Sequence, residues 1–179
     1  MFNGMLHHEA CGHGFAKLAD EYAYEHMGSV PKTIKDYYGN SFPYGWWRNG
    51  DFTGDPTQVK WSQFISDPRY EAENIGTYEG AFTYWTGAWR PTEDSIMNQN
   101  VGGFNAPSRY AIWYRINKLA YGPEWQGTYE DFVEFDKPNR TAEAISKRKA
   151  TRRNFVEKDF VPLAPPVIIE GDWRNLAKH

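Results

Sequence analysis

The chain has 179 residues, a net charge of -3 and an isoelectric point near 6.0, which fits one domain and leaves no basic footprint for nucleic acid. A mean hydropathy of -0.76, with no apolar run near the ~20 residues of a membrane span, excludes a transmembrane protein. Aromatic residues make up 17% and charged residues 24%, a composition unlike that of a disordered chain, and with few branched aliphatics the aromatics must fill much of the core.

Leu6, Cys11, Phe15, Leu18 and Tyr22, spaced three to five apart, predict a helix from Met5 to about Met27 with one interruption, stopped by Gly28 and Pro31. A short helix follows from Pro31 to Tyr38, with the proline in its first turn. Gly39 to Thr57 is dense in Gly, Pro, Asn, Asp and aromatics and reads as turns. Val59 to Ile65 fits either a helical turn or a short strand. Ile75 to Phe104 has many glycines and no sustained period, and reads as a long ordered loop region.

Asn105, Pro107 and Ser108 open the clearest helix, Ser108 to Tyr121, which ends at Gly122-Pro123. Thr128 caps another helix through Phe135, with Asp131 at its positive end. Thr141 to Lys158 is predicted helical, and its basic run, Lys147-Arg148-Lys149 and Arg152-Arg153, reads as a solvated face. Val167-Ile168-Ile169 forms a short extended piece near the end. The single cysteine, Cys11, rules out an internal disulfide framework, and no export signal follows Met1.

The chemistry lies in His7-His8-Glu9-Ala10-Cys11-Gly12-His13-Gly14, followed by Leu18-Ala19-Asp20-Glu21-Tyr22. Zinc hydrolases often place two histidines four apart on a helix, with a glutamate after the first as general base. Four residues turn a helix by a net angle of only about 40°, so both imidazoles face one ion. His8 and His13 are five apart, a separation of about 140° on a regular helix. One π-bulge absorbs the additional residue, and Gly12 makes that distortion accessible.

A third ligand is needed if a position is to be left for water. Asp20 lies seven residues past His13 and returns to nearly the same face, but seven residues rise about 10.5 Å. The helix must therefore end or bend between them, with Gly14 as the natural place. Glu21, and then His26, are the alternative third ligands. Bland readings compete throughout: surface histidines satisfied by hydrogen bonds, solvated acids, and a small buried Cys11. Cys11 with His7 makes a rival metal site, one that leaves Glu9 without a role.

These residues resemble the bacterial immunoglobulin-A metallopeptidase family, zinc peptidases with a metzincin-like site. One block of the resemblance runs from His8-Glu9 through Gly12-His13 to Leu18-Ala19-Asp20-Glu21-Tyr22. The other comprises Tyr78-Glu79-Gly80-Ala81, Trp89-Arg90-Pro91-Thr92 and Ser95-Ile96-Met97-Asn98, with Phe104 to Arg109 following in register. Together they cover roughly Leu6 to Leu119.

The resemblance implies His8, His13 and Asp20 as zinc ligands, Glu9 as general base, and Met97 as the methionine of the turn beneath the metal. Glu79, Tyr84 and Arg90 fall in the second block as substrate-binding or structural residues. The implied fold is α+β and zincin- or metzincin-like, mostly helix and long ordered loops in this chain. Residues 1–27 then form the active-site helix and ligand segment, 28–104 an irregular aromatic-rich region with the Met-turn, and 105–179 the C-terminal helices and tail. In zincins a sheet precedes the active-site helix. Here the helix begins within six residues of Met1, so 1–179 is expected to be a partial domain from a larger exported bacterial peptidase.

The expected function is zinc-dependent endopeptidase activity on a protein or peptide substrate, located outside the cell or in the cell envelope. The alternatives are a non-catalytic, aromatic-rich module that binds carbohydrate or peptide, and an inactive peptidase remnant. No residue pattern encodes recognition of an immunoglobulin hinge, so that specificity does not carry over.

Overall fold

The computed structural model describes residues 2–153. The predicted strand-like piece at Val167–Ile169, and the helix expected beyond Arg153, lie outside the described residues. The chain opens with α1 (Phe2–Leu6), which widens without a break into a π-helical segment, His7–Ala16. Lys17 then turns left-handed, with φ 56°, and the N–H groups of both Lys17 and Leu18 converge on the Gly12 carbonyl. The helix thus ends after Ala16 rather than at Gly14.

Beyond this turn the predicted helix to Met27 is corrected to a strand, β1 (Ala23–Ser29). The physical reason is tertiary. Ala19 N–H is captured by the Asn49 side chain at 2.7 Å and Glu21 N–H by the Met97 carbonyl at 2.9 Å. Those donors are then unavailable to a helix, and the segment runs extended into the sheet.

The expected loop region from Ile75 to Phe104 is also corrected, because it contains β2 (Tyr78–Ala81) and β3 (Thr83–Arg90). The sheet order is β1-β3-β2, with β1 parallel and β2 antiparallel to β3. The hairpin turns at Phe82-Thr83, where both residues have positive φ, 52° and 69°. Two-residue hairpin turns of that kind normally carry Asn-Gly or similar pairs, since bulky residues resist positive φ. Here Phe82 N–H donates to the Asp20 carbonyl at 2.9 Å and Thr83 N–H to the Tyr22 carbonyl at 3.2 Å. Those bonds help offset the strain and fasten the hairpin tip to the ligand segment. Gly80, at φ 100°, sits where the register shifts between Glu79 and Ala81.

Of the remaining elements, α2 (Lys32–Gly39), α3 (Ser62–Ile65), α5 (Ala106–Tyr121), α6 (Tyr129–Phe135) and α7 (Ala142–Arg153) follow the sequence closely, whereas the short α4 (Ile96–Gln99) falls in the stretch expected to be loop. At Val59 to Ile65 the helical alternative holds. Asn105 caps α5 through its side-chain oxygen, and Thr128 with Asp131 forms a reciprocal capping box on α6. Gly39 to Thr57, after the last residue of α2, holds a 3-10 turn at Phe42–Tyr44 and an isolated bridge from Asp51 to Trp89.

Aromatic residues do fill the core. Trp61, Phe64, Tyr70, Trp113 and Phe132 pack together beneath α5 and α6. A second cluster sets Leu18, Ile96, Met97 and Ala111 beside Ala16 of the π-helical segment, and a third packs Phe82 on Ala19 and Val30. The basic face of α7 is not wholly solvated: Arg148 reaches the Asn139 carbonyl and Glu73. No helix among the described residues is long and apolar enough to cross a membrane.

Candidate metal centre

The π-helical winding is what brings His8 and His13 together, because its bonds run between residues five apart. Their Nε2 atoms lie 3.0 Å from each other. Asp20 arrives from the extended segment after the Lys17 turn, with Oδ1 at 3.1 Å from His8 Nε2 and 3.0 Å from His13 Nε2. Of the candidate third ligands, Asp20 is the one that meets both histidines. Among the described residues this is the group of His, Cys, Asp and Glu side chains that converges closely enough to hold an ion.

Each imidazole is oriented from behind. His8 Nδ1 donates to the Ile96 carbonyl and His13 Nδ1 to the Leu18 carbonyl, each at 2.8 Å. A carbonyl only accepts, so both Nδ1 atoms carry hydrogen and the neutral rings present lone pairs at Nε2. Two lone pairs and a carboxylate oxygen therefore point at one another, an arrangement that favours a cation among them. Donors at these separations can all lie about 2.0–2.2 Å from one point, the usual distance of nitrogen and oxygen ligands from zinc. Backbone carbonyls behind ligating histidines are the common way of fixing their tautomer. The donor set fits a divalent metal.

Charge adds to the geometry. Burial alone would raise the Asp20 carboxyl, yet His13 and His8, which donate to it from Nε2 when protonated, hold it down at about 2. Burial likewise lowers His13, but the hydrogen bond and charge of Asp20, with help from the Leu18 carbonyl and Glu9, leave it above its ordinary value. His8 and Asp20 are only 2% and 8% exposed, whereas His13 is half-buried, so the group opens on the His13 side. Glu9 is exposed, and its carboxylate takes no hydrogen-bond partner among the described residues.

Met97 is fully buried against the π-helical segment. A Cβ on Gly12 would fall 2.4 Å from Met97 Sδ and 2.9 Å from its Cε, so any side chain there must displace the end of the buried Met97. Tyr22 lies close by, its ring 6.3 Å from that of His8. Burial, the Asp20 charge and Tyr24 push its hydroxyl well above the ordinary range. It therefore stays protonated and able to donate.

Other candidates lie elsewhere. Glu21 is wholly buried, and its carboxylate turns to Asn49, Ser95, Asn105 and Ser108 instead of the histidines. His26 is exposed on β1 beside Tyr24, and among the described residues His7 and the half-buried Cys11 join no donor cluster. Arg90 donates to the carbonyls of Glu79, Gly80 and Thr92, and Glu79 accepts from Gly87 N–H, so both brace the hairpin. Tyr84 packs in the cluster around Phe82.

Sequence reasoning passed over the polar set around Glu21. Asn105 carried a signal, as the start of α5, but only for its capping oxygen; its amide nitrogen reaches Glu21 and Thr92. Asn49 and Ser95 sit in turn-rich text where polar residues are ordinary. No family model matches the chain, and no curated protein matches it in sequence.

Proposed function

We propose that the chain carries the zinc site of a metallopeptidase, hydrolysing peptide bonds in protein or peptide substrates, and that its core is of the metzincin-like kind its motifs resemble. The observation that carries this reading is the convergence of His8 Nε2, His13 Nε2 and Asp20 Oδ1 within 3.0–3.1 Å, with both imidazoles backed by carbonyls. Glu9 directly follows His8, and the buried Met97 under Gly12 supports the finer assignment.

Zinc held by these three atoms would supply Lewis acidity, lowering the pKa of water to about 7 and polarising a carbonyl. The carbonyls of Ile96 and Leu18 keep both imidazoles in the tautomer that leaves Nε2 free to ligate. Glu9, solvent-facing and without a competing partner among the described residues, takes the proton of the attacking water and returns it to the leaving amine. Exposure suits that role, since the proton must pass between solvent-accessible atoms. The Tyr22 hydroxyl, beside Asp20, offers a donor at the rim of the group.

The test is metal content. Elemental mass spectrometry of the purified, dialysed chain should find zinc equimolar with protein, and His8→Ala or His13→Ala should abolish it. A folded chain that takes up no zinc sinks the reading. Cleavage of a peptide library by the zinc-loaded chain then tests the reaction itself.

A further inference from the structure

We infer that Glu21 is a positioning residue that aims His8 and Asp20 at their common point; the inference rests on the metal-site reading above. Glu21 has no exposed surface. Its Oε2 accepts from Ser95 Oγ at 2.6 Å and Asn105 Nδ2 at 2.9 Å. Its Oε1 accepts from Asn49 Nδ2 at 2.8 Å, with Asn105 Nδ2 at 3.1 Å and Ser108 Oγ at 3.3 Å. Its backbone N–H is held by the Met97 carbonyl. One carboxylate therefore gathers the turn at Asn49, the start of α4, and the first turn of α5.

A buried carboxyl group is a poor device for stability alone, because apolar packing of the same volume often does as well. What this one accomplishes is geometric. Ser95 and Met97, both held by Glu21, flank Ile96, and the Ile96 carbonyl is the group that orients His8 Nδ1. Ser95 Oγ also accepts from Met97 N–H at 3.1 Å, so the hydroxyl sets the conformation of that turn. On the other side, Asn49 grips Ala19 at both N–H and carbonyl, at 2.7 and 2.9 Å, one residue before Asp20. Two of the three donors are thus aimed by groups that Glu21 holds. In Glu21→Gln an amide N–H₂ would replace one of two acceptor oxygens and face the donors of Asn105 or Asn49.

Groups behind metal ligands typically govern affinity by 10–100-fold. Folded Glu21→Gln should bind Zn²⁺ at least tenfold more weakly in competition with a chromophoric chelator. Its Co²⁺ complex, at saturating metal, should show a shifted and weakened visible absorption band. Ser95→Ala removes one donor with little change of volume and should move the same band. Adding Asn105→Asp to Glu21→Gln returns a carboxylate opposite the new amide and should restore part of the affinity. If the wild-type chain binds neither ion, the metal-site reading fails, and the inference with it. If wild type binds but folded Glu21→Gln matches it in affinity and Co²⁺ spectrum, only the positioning role is overturned. Should Glu21→Gln fail to fold, Ser95→Ala decides: an unchanged Co²⁺ spectrum there overturns the role.

Discussion

His8 and His13 stand with their Nε2 atoms 3.0 Å apart although five residues separate them, and both point the hydrogen-bearing Nδ1 away from the contact. In neutral form neither ring can donate to the other, so in the metal-free protein a proton should take the place of a cation. His13 is the ring whose affinity for that proton is raised, chiefly by Asp20 working against burial.

This sets a pH dependence with opposite signs for the two forms. In metal-free protein the stabilisation from Asp20, whose folded value is about 2, is complete above 3.8 and is lost as pH falls toward that value. The stabilisation from protonated His13 is complete below 6.5 and fades as pH rises through its elevated folded value. Chelator-treated protein should therefore gain most from this pair between pH 3.8 and 6.5. Saturating zinc must displace the proton, so its stabilising effect should grow as pH rises through the same upper boundary. Urea midpoints across pH, with chelator and with zinc, should show the two trends cross. Asp20→Asn should flatten both, and parallel curves would count against the proton–metal competition.

Glu9→Gln should leave zinc stoichiometry unchanged, because the carboxylate lies outside the donor triangle. Loss of a general base costs about 10²–10⁴ in rate. Peptide cleavage should fall by that factor while the metal content holds. Undiminished turnover would remove Glu9 from the mechanism and require another group to take the proton of the water.

Gly12 and Met97 make a mutually dependent pair. Gly12→Ala drives a methyl toward Met97 Sδ, with 2.4 Å available, and overpacking of this kind costs about 1–3 kcal/mol. Met97→Ala opens a cavity at a fully buried site, at about 2–5 kcal/mol. In the double variant the new methyl enters the space the sulfur left, so the two losses should fall short of additivity. Thermal or urea unfolding of the four proteins gives the coupling directly. Simple additivity would mean that the backbone, and not Met97, excludes the side chain at Gly12.

Much of the site was legible because ligand chemistry dictates both residue type and spacing: a five-residue gap between histidines demanded a π distortion, and the His13–Asp20 span demanded a break. The break itself falls at Lys17, in a left-handed conformation that no residue-type rule would place there. Helix ends were readable from Asn105, Thr128 and Gly122 because caps act locally. The sheet was not, for equally physical reasons. Tyr22 to Met27 is compatible in pattern with a helix and becomes a strand only because Asn49 and Met97 capture its preceding N–H groups. The β2–β3 hairpin turns on Phe82-Thr83, residues that propensity excludes from such a turn, and its bonds to Asp20 and Tyr22 are distant in sequence. Glu21 competes with Asp20 in the sequence because adjacent carboxylates look the same there, whether they face two histidines or four buried donors.

A final prediction concerns the scaffold behind α5. Arg109 forks onto both oxygens of Asp136, at 2.8 and 2.7 Å, and also reaches Glu73 at 2.7 Å, with Arg148 meeting Glu73 at 3.3 Å. Asp136 is wholly buried, so Arg109→Met would strand two carboxylates without their principal cation. Breaking such a pair by removing one partner costs about 3–5 kcal/mol, far more than an exposed ion pair is worth. Arg109→Lys keeps the charge but cannot fork onto a carboxylate, and should fall between wild type and Arg109→Met. None of these side chains bonds to His8, His13 or Asp20, so zinc affinity should persist in the folded fraction. Urea unfolding should show the graded loss and chelator competition the retained affinity. A loss below about 1 kcal/mol for Arg109→Met would show that Arg148 alone can neutralise the pair.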